Sequence, residues 1–487
     1  MDQVHIDILA YADFSGRLRQ TKEYPGFGVY ATTIEQLRSR NPEGTVLLDA
    51  GDMFCTTFWG GQPMVKASCL LKTDAMTLGN HEFDRGEAFL NECIDAAQFP
   101  ILCANITRKA DGTAIPGTLP WVMLERQGVR IGVLGITTEY TPYMVTASSF
   151  APFEVHAAAG AAHRYIPEMR QAGAQIIVLL AHIPFYVDEQ GGISGELVEL
   201  LEQIPPVDVC IGGHIPGDYA GLWKDTMVLK GGFGGVSLCH AGVTFDRDAG
   251  KIVDRQCQIH LTRRETVPME QYKTYADGIT APFDDFFVKP LTYTDETWSI
   301  RLSAETKLGN FLAQCVEESA GTRIAYMNAT SSGGGIAIGP VTAEDITGVM
   351  GFNDPIYKAE ITGKQLYDLF ELVYVPERFG NNAGLFFSGI VVWADHTKPA
   401  FHKIQAITLR DGTPVEPDRH YSIATSEYMA SGGNDTGAVA DLLNWQNTGV
   451  RMYDALFACV EKHCCLYVTP EQRLHEIGRP ENDNAPF

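Results

Sequence analysis

Short apolar runs recur along the first half of the chain, and helix-length segments separate several of them. Val4 to Tyr11, Thr45 to Leu48, Ala75 to Leu78, Ile101 to Ala104, Val129 to Ile136, Gln175 to Leu180 and Val207 to Ile211 have the length and apolar content of strands. Ala88, Phe89, Cys93, Ile94 and Ala97 repeat at the spacing of a helix with one buried face. Strands spaced by helices predict βα units and sheets flanked by helices, an α/β fold. From Val236 to Leu261 the pattern turns to strand–turn–strand, a hairpin that closes a first domain over residues 1–261. Residues 262–289 are charged and helix-prone and read as a linker. A second α/β unit follows over 290–478. Its pattern predicts helices at Leu308 to Ser319 and Gly363 to Val373, a glycine-rich turn at Ser331 to Gly335, and late strands. The polar tail 479–487 reads as frayed.

Composition narrows the partners. A chain of 487 residues, 45% hydrophobic and 20% charged, is an ordinary globular sequence. Lys and Arg number 37 against 60 Asp and Glu, a formal charge of −23 with no basic cluster. Such a surface repels a phosphate backbone, so a nucleic-acid polymer is not an expected partner. No apolar run reaches the roughly 18 residues of a membrane helix, which removes the membrane as a partner. The opening MDQVHIDILAYADF has no basic segment followed by an apolar one, and the 11 cysteines include no CxxC pair. Both point to a cytoplasmic location.

The chemistry sits where the strands end. The first runs into Asp13, the second into LLDAGD with Asp52, the third into GNHEFD with Asn80, His81 and Asp84. IIVLLAH delivers His182 and VDVCIGGH delivers His214. In α/β sheets the turns leaving the carboxyl edge converge on one crevice. Two carboxylates, two imidazoles and an amide oxygen suit Zn, Mn, Fe or a related divalent ion. Taken singly, an Asp after a strand is an N-cap and a His is a satisfied core residue. The run GNHE changes that weighting, because by chance it is expected in only about 0.003 copies in such a chain.

These motifs resemble the metallophosphoesterases of the 5′-nucleotidase and 2′,3′-cyclic-nucleotide phosphodiesterase family. The resemblance covers nearly the whole chain. It implies a calcineurin-like metallophosphoesterase domain followed by a 5′-nucleotidase-type substrate domain. It also implies a dinuclear centre in which Asp52 bridges two ions and Asn80, His182 and His214 complete the shell of one. His81 and Asp84 match the family's catalytic pair, and Asn105 falls in a segment implied to bind substrate. Ser15 and Pro216 stand where the family has histidines, both on the other ion, which keeps Asp13 and Asp52. One tight divalent site is therefore expected, with the second weak or absent. Asp218 is a candidate replacement carboxylate, although a plain turn role weighs more.

The second unit is similar to the family's substrate domain, again with departures. GFND places Phe352 as one ring stacking on a base, and EYMASGGND places Tyr428 as the other, with Asn434 where Asp is usual. Core packing is the competing role for Tyr428. The arginines of two phosphate-binding motifs are replaced by Ala304 and Ala337, which removes bidentate grips on phosphate. The expected function is metal-dependent hydrolysis of a small phosphoester, nucleotide or nucleotide-like, with His81 and Asp84 assisting. The alternative is a non-catalytic descendant that binds a nucleotide-like ligand.

Overall fold

The computed structural model describes residues 2–54, 58–301, 304–374, 384–462, 465–469 and 472–478. The frayed tail expected over 479–487 lies outside them. The chain divides into two compact units between Pro282 and Phe283.

The first unit is built on two sheets. One runs, in spatial order, Lys251–Leu261, Ser237–Asp246, Gln3–Tyr11, Thr45–Asp49, Ala75–Thr77, Ile101–Leu102 and Thr118–Leu119. Its central strands are parallel, and the hairpin predicted over 236–261 closes one edge in antiparallel register. The other runs Tyr219–Trp223, Thr226–Lys230, Val209–Ile211, Ile176–His182, Val129–Thr137 and Trp121–Arg126, with a parallel centre and antiparallel edges. Strand alternation explains the layering. Ile6, Ile8 and Ala10 point between the sheets, where they meet Ile131, Val133, Val178 and Leu180. Leu9 and Tyr11 point the opposite way, onto Phe27, Tyr30 and Ile34 of the helix Gly26–Arg38. On the far side Ile177 and Leu179 pack under the helices Ala158–Gln171 and Glu196–Gln203. The result is two sheets face to face with helices outside both, which is why these strands read as near-continuous apolar runs.

One glycine lets the sheets converge beside the site. A Cβ at Gly135 would stand 2.3 Å from the Leu102 Cβ and 2.8 Å from the Thr77 hydroxyl. Across that gap the Thr137 hydroxyl donates to the Leu78 carbonyl at 2.6 Å, joining the carboxyl ends of the two sheets.

The linker reading of 262–289 needs correction. Residues up to 282 belong to the first unit, and the helix Glu270–Thr280 packs on Gly26–Arg38. Tyr272 is 2% exposed. Its ring and that of Tyr275 meet Phe27 edge-on at 5.9 and 5.8 Å. The Tyr272 hydroxyl also donates to Glu35. The charged face that suggested a linker is the helix's solvent side.

The second unit centres on a five-stranded sheet ordered Leu385–Ser388, Ile324–Asn328, His420–Ser426, Pro355–Thr362 and Gln446–Arg451. Its helices start where side chains cap them. The Thr306 hydroxyl accepts from the Gly309 N–H ahead of Lys307–Ala320. Thr362 and Gln365 form a reciprocal capping box that begins Gly363–Val373 at the predicted residue.

Tyr272→Ala is expected to destabilise the first unit by about 3–5 kcal/mol, the scale for deleting a buried aromatic ring. Urea denaturation measures it. A side chain on a solvent-exposed linker would change stability by no more than about 0.5 kcal/mol.

Candidate metal centre

Each expected metal residue leaves a strand at its carboxyl end. Asp13 follows Gln3–Tyr11, Asp52 follows Thr45–Asp49, Asn80 follows Ala75–Thr77, His182 ends Ile176–His182 and His214 follows Val209–Ile211. The turns that carry them are tight. Asp13, Asp52 and His214 have φ of 55°, 57° and 79°, with Ser15 at 50°. Non-glycine residues in this region cost about 1–3 kcal/mol each and cluster at functional sites. The glycine of GNHE is needed for close approach, since a Cβ at Gly79 would fall 2.2 Å from an Asp52 oxygen.

Asp52, His182 and His214 each offer a donor atom, all within 4.8 Å of one another. His182 Nδ1 lies 2.7 Å from the Ala50 carbonyl. A carbonyl only accepts, so Nδ1 keeps a proton and Nε2 is the atom that would ligate a cation once its own proton is displaced. That Nε2 is buried without a hydrogen-bond partner and faces Asp52 Oδ2 at 3.1 Å. A buried, unbonded imidazole nitrogen beside a carboxylate fits a divalent cation. Asn80 Oδ1 lies 2.8 Å from His214 Nδ1, close to the spacing of about 3 Å between two ligands of one ion. Asn80 thus lies beside the three-residue group.

Electrostatics follow from burial and crowding. Burial works against charge on His182, but Asp52 and then Asp13 outweigh it and hold the ring at about 9. Burial and the neighbouring His182 charge push His214 down to about 3. Burial also opposes charge on Asp52, yet His182 and His81 keep its carboxyl below the usual range. Asp13, buried beside Asp52 and only partly relieved by His182, rises to about 7.

His81 opens the 3-10 turn His81–Phe83. Its Nδ1 lies 3.1 Å from both Asp84 oxygens, and its backbone N–H donates to Asp52 Oδ1 at 3.0 Å. The side chain is 23% exposed, so a ligand can reach it. Burial lowers its pKa, but Asp84 and Asp52 overcome that and carry it up to about 10.

Two residues here were not singled out from sequence. The Glu82 carboxylate is fully buried and accepts the backbone N–H groups of Asp52, Phe54 and Gly79 at 2.9, 2.8 and 2.6 Å. Its signal was present, as the last letter of GNHE. Lys230, 2% exposed at the end of Thr226–Lys230, had no sequence signal. Burial brings its ammonium down to about 8, with Asp13 and Asp218 opposing.

Other expected residues sit differently. Both Asp13 carboxylate oxygens face the His214 backbone N–H, at 3.2 and 3.0 Å, and Asp13 is not part of the three-residue donor group. Asn105, expected to bind substrate, is corrected to a scaffold role. Its amide nitrogen donates to the Thr137 carbonyl at 2.7 Å and its oxygen accepts the Thr137 N–H at 3.0 Å. Both ends of the amide are thus spent on joining the sheets. Asp218 Oδ1 accepts the Ser237 hydroxyl at 2.6 Å, in keeping with a turn role.

In the second unit, Phe352, Tyr428 and the Ser331–Gly335 turn share one sheet edge. Pro355–Thr362 begins where His420–Ser426 ends, with Ile356 opposite Ser426. Ile324–Asn328 runs parallel to the latter and leads into the turn. The Gly351 N–H donates to the Ser331 carbonyl at 2.9 Å, which ties the turn to the Phe352 segment. The Tyr428 hydroxyl donates to Asn434 Oδ1 and accepts the Asn434 N–H, both at 3.1 Å. Tyr428 also packs partly against the core, the competing role weighed from sequence.

Glu82→Ala would leave three buried N–H groups unpaired, at about 1–3 kcal/mol each. The variant is expected to lose at least about 3 kcal/mol in denaturation and to retain divalent ions more weakly, as read by elemental analysis. Unchanged stability and retention would remove Glu82 as the organiser of the Asp52 turn.

Residues 6–218 match the calcineurin-like phosphoesterase family and residues 291–441 match the 5′-nucleotidase C-terminal domain. The chain is 26% identical to the trifunctional nucleotide phosphoesterase of Bacillus subtilis (strain 168) over 92% of its own length but only 34% of that longer protein. It is 26% identical to the snake venom 5′-nucleotidase of Crotalus adamanteus, covering 89% of this chain and 80% of the other. The 5′-nucleotidase precursor of Thermus thermophilus superposes with a TM-score of 0.83 at 20% identity, over 98% of this chain and all of that one. A sulfate thiohydrolase from the same organism superposes at 0.76 and 16% identity, over 98% of this chain and 97% of its own, so the fold itself hosts more than one chemistry. With a phosphoesterase match over residues 6–218 and a nucleotidase match over residues 291–441, the chain belongs to the calcineurin-like phosphoesterases that carry a 5′-nucleotidase C-terminal domain.

Proposed function

We propose that the protein hydrolyses a small phosphoester, nucleotide or nucleotide-like, with one divalent ion held by Asp52, Asn80, His182 and His214. The observation that carries this reading is the buried, unbonded His182 Nε2 facing Asp52 within reach of the His81–Asp84 pair. Such an ion supplies Lewis-acid polarisation of a phosphoryl oxygen and a lowered pKa for water. Zn, Mn and Fe all suit the donor set.

The chain's own groups do the rest. The Ala50 carbonyl holds the Nδ1 proton and the ring orientation of His182, so Nε2 would need only to exchange its proton for the ion. Asp84 holds the Nδ1 proton of His81, leaving Nε2 to place positive charge, or a proton, on the phosphoryl group or the departing oxygen. The hydrolase is favoured over a ligand-binding descendant because that pair is intact and partly exposed; a binding module has no need of it. In the second unit Phe352 and Tyr428 are the proposed base-stacking rings, worth roughly 1–3 kcal/mol per base. Asn434 acts by holding the Tyr428 hydroxyl. Without arginines at Ala304 and Ala337, a strong bidentate grip on a terminal phosphate is not part of this proposal.

Protein purified without added metal is expected to carry one tightly held divalent ion per chain by elemental analysis, and His182→Ala is expected to lose it. His81→Ala should keep the ion and lose roughly 10²–10⁴-fold in phosphoesterase rate, the scale for a positioned acid–base group. Full activity in His81→Ala would remove this residue from the mechanism. A parent protein inert toward a broad ester panel with divalent ions added would exclude the hydrolase.

A further inference from the structure

The side of the centre next to Asp13 does not fit a second divalent ion. The Ser15 hydroxyl faces the Asp52 carbonyl at 3.5 Å, and proline at 216 has no side-chain donor. The Asp13 oxygens lie against the His214 N–H, and Asp218 Oδ1 is taken by Ser237.

Lys230 is there instead. Its strand pairs in parallel with Val209–Ile211, Leu229 opposite Ile211, so it arrives at the sheet edge alongside the turn that presents His214. Nζ donates to the carbonyl of Pro216 at 3.3 Å and stands 4.6 Å above the ring of Phe185. The carboxylates whose charge acts on it are Asp13 and Asp218. An ammonium has three N–H donors, and the acceptor found for it among the described residues is that one carbonyl. A lysine is almost never this deeply buried unless paired.

We propose that Lys230 is the resident second cation of the centre, its remaining N–H bonds taking a non-bridging oxygen of a phosphoryl oxyanion while a single divalent ion sits on the Asp52–His182–His214 side. This rests on the metal-centre reading above. A fixed ammonium balances Asp13, repels a second divalent ion, and contributes one arm of a charge clamp on the phosphoryl group.

Two measurements test it, neither of them turnover. Protein loaded with excess Mn(II) should give the electron paramagnetic resonance spectrum of an isolated ion, one per chain. An exchange-coupled pair would overturn the proposal, and because this uses the unaltered protein it does not depend on a variant folding. Calorimetric titration of the one-ion protein with inorganic phosphate should show Lys230→Met binding at least tenfold more weakly than the parent, with its Mn(II) retained. Equal phosphate affinity in parent and variant would overturn the proposal and leave Lys230 a buried structural charge. One Mn(II) with Lys230-dependent phosphate binding but no ester hydrolysis would refute the hydrolase alone. Failure to bind any Mn(II) would refute both.

Discussion

Three backbone N–H groups from two separate turns converge on the carboxylate of Glu82, and the rest of the centre depends on that convergence. The Asp52 turn and the Gly79–Asn80 turn leave adjacent parallel strands, yet nothing in the strand ladder fixes their loops relative to each other. Glu82 does, with both oxygens. Once it is in place, Asp52 can adopt its left-handed conformation and meet the His81 N–H, and Gly79 is pressed so close that no other residue fits. A buried carboxylate surrounded only by carboxylates would be unstable. Burial and the nearby Asp52 push Glu82 up to about 7, and the Phe54 N–H, the His182 charge and the Asp52 N–H limit that rise.

The same crowding explains why the centre calls for cations. Asp13, Asp49, Asp52 and Glu82 are all buried in one neighbourhood. Asp49 is driven well above the carboxylate range by burial, so it adds little charge. Asp52 stays ionised because His182 and His81 lean on it. Removing a positive group from such a cluster costs more than the single contact suggests, because each buried charge is stabilised by several others.

What the sequence made legible was the position of chemistry along each strand. The seven bounded strands read in the first unit lie within two residues of their observed ends, though edge strands such as Trp121–Arg126 and Tyr219–Trp223 gave no signal, and Asp52, Asn80, His182 and His214 leave strands at one carboxyl edge. Three features were hidden for physical reasons. Whether an amide such as Asn105 faces a ligand or a neighbouring strand depends on tertiary pairing, here with Thr137, which has no local signature. The helix around Tyr272 has a charged solvent face, and its buried face is short enough to pass for a polar linker. Lys230 is one basic letter after an apolar run, normally a residue at the solvent boundary; only the fold reveals that the boundary there is a buried site.

The departures at Ser15 and Pro216 then take on a different sense. Taken alone, they look like damage to a two-ion centre. With Lys230 in place they are mutually consistent: an ammonium takes carbonyl and carboxylate acceptors, the Pro216 carbonyl among them, and needs no imidazole from position 15 or 216. An ammonium cannot acidify water as a divalent ion does, so in the proposed centre water activation falls to the His182–His214 side, while Lys230 neutralises charge. Dividing the work this way removes the dependence on capturing a second ion. It also confines the clamp to one fixed charge of a single sign and reach, which favours a phosphoryl oxygen at one depth in the site over substrates whose charge sits elsewhere.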